Sequence, residues 1–302
     1  MKLNRLLAAL SAAGLVALIG PAQASITFKF NPLGGGLGAG VINGAAVLDQ
    51  SPGNDLAIKG AGLGSTLPPG KVISDLYQAN LATVTDVDTN ILFSNGGSSK
   101  FFTFVAAFNE IVATAGAGSN SFVVLPGGTF KMCAQGVIGN NLLGTGFGCA
   151  GNGILSGTIT GGLSSQSSIG GIDSRLDRAG GNDWPGVSTL VTIGSADLTA
   201  VITFVNAAYF PDLMLGDSIA VNSSLVTPFN QINPSRKFSS GLVTDDTFTN
   251  IGTSNGITGP DFIFQADANS SFDRVPEPGS LALGGFALAG LALMRSRRKQ
   301  SV

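Results

Sequence analysis

Histidine is absent from all 302 positions, which removes the usual general base and the commonest metal ligand. Neither a Ser-His-Asp nor a Cys-His nucleophile can therefore be assembled. Carboxylates remain. In the body of the chain Glu occurs only as Glu110, so a glycoside-hydrolysing acid–base pair would have to be built from aspartates. The candidates are Asp173 with Asp177 and Asp245 with Asp246, and their spacing does not separate such a pair from solvated carboxylates that cap turns. Asp86-Val87-Asp88-Thr89-Asn90 places oxygen-bearing side chains at alternate positions. An EF-hand needs Gly at its sixth position and a bidentate Glu at its twelfth, and here those positions hold Ile91 and Gly97. On a strand Asp86, Asp88 and Asn90 would share one face, which leaves them as weak calcium candidates. Asp212 with Asp217 is a second such pair. No cofactor and no metal are expected.

Aromatic rings can stack on the C–H face of a sugar. Trp184 and Tyr209 are the candidate carbohydrate contacts, with Tyr77 beside them. Trp184 stands in Gly180-Gly181-Asn182-Asp183-Trp184-Pro185-Gly186, where polar neighbours can bond hydroxyls. A lone tryptophan is also a common half-buried packing residue. The two cysteines, Cys133 and Cys149, lack the histidines that would complete a common zinc shell. In an oxidising compartment they are expected to pair, closing a loop that stabilises the fold by about 3 kcal/mol in the chain-entropy model.

The elements that must position these groups read as strands. Short β-branched and aromatic runs recur at 26–30, 41–48, 81–85, 90–93, 101–108, 111–114, 121–125, 129–133, 154–160, 189–193, 198–205, 215–221, 241–244 and 262–265. Turn signals such as Asn95-Gly96-Gly97, Pro126-Gly127-Gly128 and Asn152-Gly153 separate them. Many short strands so spaced predict an all-β domain, a β-sandwich or jelly-roll-like fold. One helix is expected over 70–79, where Val72, Ile73, Leu76 and Tyr77 share a 3.6-residue face. The Gly34–Gly40 tract reads as a turn rather than a dinucleotide fingerprint, because no helix-forming run follows it. Residues 164–171 and 180–186 read as loops.

The formal charge of −2 conceals a partition: residues 25–275 hold ten cations against seventeen carboxylates. An acidic body argues against nucleic acid, whose phosphates need a basic face, and against anionic lipid surfaces. Charged residues are 11% of the chain while hydrophobic ones are 44%. That balance is wrong for disorder and suits a secreted β domain.

Both ends carry export features. Lys2 and Arg5 precede an uncharged apolar stretch over 6–19, then Pro21-Ala22-Gln23-Ala24. This is a signal peptide with an Ala-x-Ala site at Ala22 and Ala24, predicting a mature start at Ser25. At the other end, Val275-Pro276-Glu277-Pro278-Gly279 precedes an apolar run over 280–294 and the cluster Arg295, Arg297, Arg298, Lys299. Pro276 and Pro278 fix φ and bias Val275 and Glu277 to extended conformations, so the motif is a stiff extended peptide. The run reaches roughly 22 Å as a helix, short of a hydrocarbon core of about 30 Å. The basic cluster is expected to stay cytoplasmic. On physics alone this is a marginal single-pass anchor.

In motif, order and position, residues 275–299 resemble the PEP-CTERM sorting signal of Gram-negative bacteria that make exopolysaccharide. The resemblance implies recognition by exosortase, a membrane protease or transpeptidase with a cysteine nucleophile, and a membrane association through the C-terminal segment before processing. The Gly-, Thr- and Phe-rich body is broadly similar to flocculation-associated members of the family. The expected organisation is a signal peptide over 1–24, an all-β exported domain over 25–268, a polar stalk over 269–274 and the sorting signal with its short hydrophobic helix over 275–302. The expected partners are signal peptidase, exosortase and an exopolysaccharide or cell-surface matrix. The expected place is the cell envelope, the cell surface or the medium. The expected role is non-enzymatic, in adhesion, aggregation or flocculation. The alternatives are a carbohydrate-binding module or an Asp-dependent polysaccharide hydrolase.

Overall fold

The structure, a computed structural model, describes residues 24–60, 67–116, 118–239, 246–247 and 250–274. The signal-peptide core, the strand expected over 241–244 and the sorting signal with its hydrophobic helix lie outside the described residues. Among the described residues no helix is long and apolar enough to cross a membrane.

The described residues are all-β, as the strand spacing indicates. In chain order the strands are β1 Ala24–Ser25, β2 Phe28–Phe30, β3 Ile42–Ala45, β4 Val47–Gln50, β5 Gly53–Ile58, β6 Val72–Thr85, β7 Ile91–Ser94 and β8 Phe101–Gly116. They continue with β9 Ser119–Gln135, β10 Gly153–Asp173, β11 Ser188–Val205, β12 Ser218–Thr227, β13 Phe238–Ser239, β14 Asp246–Thr247, β15 Ser254–Asn255 and β16 Phe262–Arg274. Two compact units result, one of residues 26–272 and a small one in which Ala24–Ser25 pairs with Asp273–Arg274.

Within the large unit eleven strands belong to one sheet rather than to two packed sheets, in the order β16-β12-β11-β10-β9-β8-β6-β4 with β5, β7 and β15 off this path. Its ends meet. β4 pairs with β6 through Val47↔Thr85 and with β16 through Asp49↔Asn269, while β5 continues the same stave between β6 and β16. The sheet closes into a barrel of eight staves, the number whose interior is just wide enough for side chains to fill. Closure also leaves no long unpaired strand edge.

Inward residues follow the strand period of two. Phe102, Phe104, Ala106 and Phe108 of β8 meet Phe122, Val124, Phe130 and Met132 of β9 and Ala200 and Ile202 of β11 in the main core. One end is filled by rings: Phe30, from the β2–β3 hairpin, packs 5.2 Å from Phe102, 5.3 Å from Phe210 and 5.6 Å from Phe93. A second core lies on the outer side of β5, β6 and β16, where Leu56, Leu76 and Ile263 pack with Leu176, Phe229, Phe238 and Ile251 from the covering segments.

That second core explains why the helix expected over 70–79 is instead a strand. Residues 72–79 are strand β6, with Ile73 and Tyr77 facing the barrel interior and Leu76 facing the outer core. A strand buried on both faces loses its clean alternation, and the remaining apolar spacing then mimics a helical period. Two expected breaks are also absent. The runs at 101–108 and 111–114 form one strand, β8, and those at 121–125 and 129–133 form another, β9. Pro126-Gly127-Gly128 is a register shift inside β9, opposite Ala107 and Asn109. There Gly127 has φ +104°, and a Cβ on Gly128 would lie 2.6 Å from Phe108 Cβ. Residues 164–171 are likewise part of β10. The polar residues 269–274 belong to β16, with Ser270 fully buried and bonded by the Gln50 side chain at 2.9 Å.

Candidate functional site

Three carboxyl groups point into the barrel where a hydrocarbon core would be expected. Asp55 sits on β5, Asp75 on β6 and Glu110 on β8, and strand pairing brings them together: Asp75 is opposite Ala57 and Phe108, two positions along from Asp55 and Glu110 respectively. All three are buried. Asp55 Oδ1 and Asp75 Oδ2 accept no hydrogen bond from the protein. They line a small space with Ser164, Gln166, Phe108 and Phe122, about 20 Å³ in volume. An adjoining space of about 30 Å³ is lined by Gln50, Asp55, Tyr77 and apolar residues. Each has room for one or two water molecules and none for a sugar ring.

Burial disfavours the charged form of each acid. Desolvation pushes Asp55 and Asp75 well above the carboxylate range, and the Glu110 charge adds to both. Glu110 is raised to about 7 by desolvation, tempered by the Ser164 hydroxyl. Tyr77 is raised for the same reason, with Asp55, Asp267 and Asp49 adding. Its hydroxyl donates to Gln50 Oε1 at 2.8 Å. The trio is thus a store of protons inside the barrel core. Sequence reasoning missed it, although one signal was present: each acid occupies an inward position between apolar residues, as Glu110 does between Phe108 and Val112.

The outer wall is different in kind. Strand register aligns Thr114 of β8, Ser121 of β9, Ser165 of β10, Ser195 of β11 and Ser224 of β12 in one row across five staves. Neighbouring hydroxyls touch, Thr114 with Ser121 at 2.5 Å and Ser165 with Ser195 at 3.3 Å. Flanking pairs extend the pattern: Ser167 donates to Ser119 at 3.2 Å, and Thr160 and Thr199 lie 3.0 Å apart. Strands spaced about 4.8 Å apart set the repeat. Around the barrel, Asp49, Asp267, Asn222, Ser224 and Asn269 border an open hollow of about 260 Å³. There burial and the Asp49 charge raise the pKa of Asp267.

The residues singled out by sequence are dispersed. Trp184 packs against the outer core, donates Nε1–H to Pro234 O at 2.9 Å and has the Arg236 guanidinium 4.9 Å from its ring centre. Tyr209 packs against the main core, edge-on to Phe102, so the two rings belong to different clusters. Asp86 Oδ1 accepts the backbone N–H groups of Asp88 and Asn90, and Oδ2 accepts the Asn90 amide. The Asn90 side chain first, and those N–H groups with it, lower the pKa of Asp86. The trio closes the β6–β7 turn. Asp212 accepts from Lys29 N–H and Asp217 from Met214 N–H. Asp173 pairs with Arg178, while buried Asp177 accepts N–H groups of Ala179 and Asp183. Among the described residues no three acidic or cysteine side chains converge as metal ligands. Cys133 and Cys149 are joined in a disulfide, with their Cα atoms 5.6 Å apart.

The chain reaches the end of β16 at Arg274, and a match to a known family begins there. Residues 274–299 match the model of the PEP-CTERM protein-sorting motif. The chain carries a PEP-CTERM sorting signal. No curated protein and no solved structure matches the chain. The matched span contains Val275, Pro276, Glu277 and Pro278 with the basic stop Arg295, Arg297, Arg298 and Lys299. A PEP-CTERM signal makes exosortase the processing partner and marks the protein for export to the envelope or surface of a Gram-negative cell. The signal itself lies outside the described residues, apart from Arg274. Of the expected signal-peptidase site, Ala22 lies outside them too, while Ala24 and Ser25 form β1.

Proposed function

We propose that this protein is a non-enzymatic component of the extracellular matrix, delivered through exosortase, whose barrel adheres to exopolysaccharide through its outer wall and so promotes aggregation or flocculation. The observation that carries this reading is the five-stave row of hydroxyls from Thr114 to Ser224. Each hydroxyl is one donor and two acceptors, so an uncharged, regularly spaced row matches the hydroxyls along a polysaccharide. The small interior spaces fit this reading, because at about 20 and 30 Å³ they admit water but not a sugar ring. Weak contacts repeated along a polymer add through effective concentration, which is how a shallow wall without a deep pocket achieves retention.

A second reading, a module that grips single sugar units, is favoured by the hollow bordered by Asp49, Asp267, Asn222 and Asn269. Carboxylates and amides there offer the acceptors and donors that sugar hydroxyls need. The same two carboxylates are what an Asp-dependent hydrolase would require. One experiment orders the three. The released protein and its S165D/S195D variant are titrated against the host polysaccharide, beside D49N/D267N, with polymer length followed throughout. The proposal expects saturable binding that weakens about tenfold or more in the wall variant, the scale of losing one or two charge-free hydrogen-bonding contacts, and constant polymer length. Loss of binding only in D49N/D267N favours the module. Shortening of the polymer that stops in that variant favours the hydrolase.

A further inference from the structure

The ring-filled end of the barrel carries an exposed apolar tip. Leu33 and Leu37, on the β2–β3 loop, are 56% and 68% exposed, and Met214 and Leu215, on the β11–β12 loop, are 49% and 67% exposed. The two loops are tied together: Gly36 N–H donates to Ala208 O and Asn31 N–H to Tyr209 O, each at 2.8 Å. Below them Phe30 and Phe210 are fully buried. The Asn31 amide spans the first loop, bonding Gly36 O at 2.8 Å and Ala39 O at 3.2 Å. These leucines are held outward by an ordered scaffold. Residues 31–48 contain no charge, in a body that is otherwise acidic.

The same end receives the last strand. Phe272 of β16 packs 4.8 Å from Phe28, at the base of the β2–β3 hairpin. In sequence the apolar run of the sorting signal begins at Ser280, so no more than about 28 Å of extended chain joins that ring to the segment entering the bilayer. A tether of that length makes contact between the tip and the lipid surface an intramolecular event. The uncharged β2–β3 loop is also a part of an acidic body that lipid headgroups do not repel, while Asp212 and Asp217 of the β11–β12 loop are engaged by the backbone N–H groups of Lys29 and Met214.

We propose that this barrel end docks on the bilayer surface in the precursor, with Leu37 and Leu215 seated shallowly in the interface. Docking holds the Val275–Gly279 motif at headgroup level, where a membrane enzyme can take it. Four apolar side chains without the tail are too little for lasting attachment, because stable anchoring takes two signals. Removal of the tail therefore frees the barrel. The inference rests on the sorting-signal reading of the tail.

The test uses the full chain in vesicles of phosphatidylethanolamine and phosphatidylglycerol. An environment-sensitive fluorophore is placed through L37C, L215C, I169C or L288C, the native cysteines being paired with each other. Ile169 is also exposed and apolar but lies near the far end of β10, so it controls for apolarity without proximity. Docking predicts quenching by spin-labelled lipid at positions 37 and 215 about twofold or more above that at 169. Quenching at 288 with positions 37 and 215 no different from 169 overturns the docking inference alone. An aqueous signal at 288 overturns the membrane-tethered precursor itself, and docking with it.

Discussion

Glu110, Asp75 and Asp55 place acid groups in a core where no cation among the described residues acts on them. The groups around this cluster are Asp55 from β5, Asp75 and Tyr77 from β6, and Glu110 from β8, with Asp49 of β4 and Asp267 of β16 acting on Tyr77 from outside. Each acid is raised, so the folded state holds protons that the unfolded chain releases. Stability conferred by those protons is complete below the ordinary carboxylate range and is lost as pH rises from about 4.5 toward the folded value of about 7 for Glu110. The slope is about 1.4 kcal/mol per pH unit for each group still protonated only when folded. Denaturant midpoints should accordingly fall between about pH 5 and pH 8. E110Q, which keeps the shape and removes the charge, should flatten the fall. An E110Q profile as steep as wild type would show that Glu110 is not part of the titrating cluster. The same residues explain why the chemistry was hard to read. The sequence pointed to Asp86, Asp88 and Asn90 by local spacing, and they proved to be a turn closing its own N–H groups. The buried acids lie on three strands and are brought together only by the pairing of β5 with β6 and of β6 with β8.

At the level of elements, the legible parts were those with local causes. Strand identity in β8, β9 and β11 follows from β-branched and aromatic runs, and the Cys133–Cys149 pairing follows from having two cysteines in an exported chain. Less legible were Gly127, Gly128 and the 164–171 segment, where glycine and serine signal turns yet are used for a bulge and for an outward hydroxyl row. The helical period over 70–79 misled because covering residues 100 to 175 positions beyond Leu76, from Leu176 to Ile251, bury the outer side of β6. The closed ring was likewise invisible, since β16 returns to β4 across most of the chain. The disulfide tests how local reasoning carries into energetics. It links the end of β9 to the loop before β10, with a sequence separation of 16. C133S should lower stability by about 3 kcal/mol, read as a shift in denaturant midpoint that reduction of the wild type reproduces. An unchanged midpoint would mean that the loop is already ordered by contacts such as the Gln135 side-chain amide bonding Gly148 O at 2.5 Å.

For the whole molecule, the barrel and the sorting signal divide the work. The barrel is tightly filled inside, carries a row of hydroxyls across five of its staves and is apolar at the end that holds Phe272. The signal decides where the barrel is placed, and its reading was available from sequence because motif, apolar run and basic stop are contiguous. The claim on which everything else depends is therefore removal of the tail after export. Intact mass of the protein recovered from outside the cell measures this directly, compared with the E277A variant and with a strain lacking exosortase. The account predicts a mature chain that lacks the apolar run and the Arg295 to Lys299 cluster, and precursor held in the membrane in both comparisons. A recovered protein that still ends at Val302, or identical processing in all three cases, would contradict it.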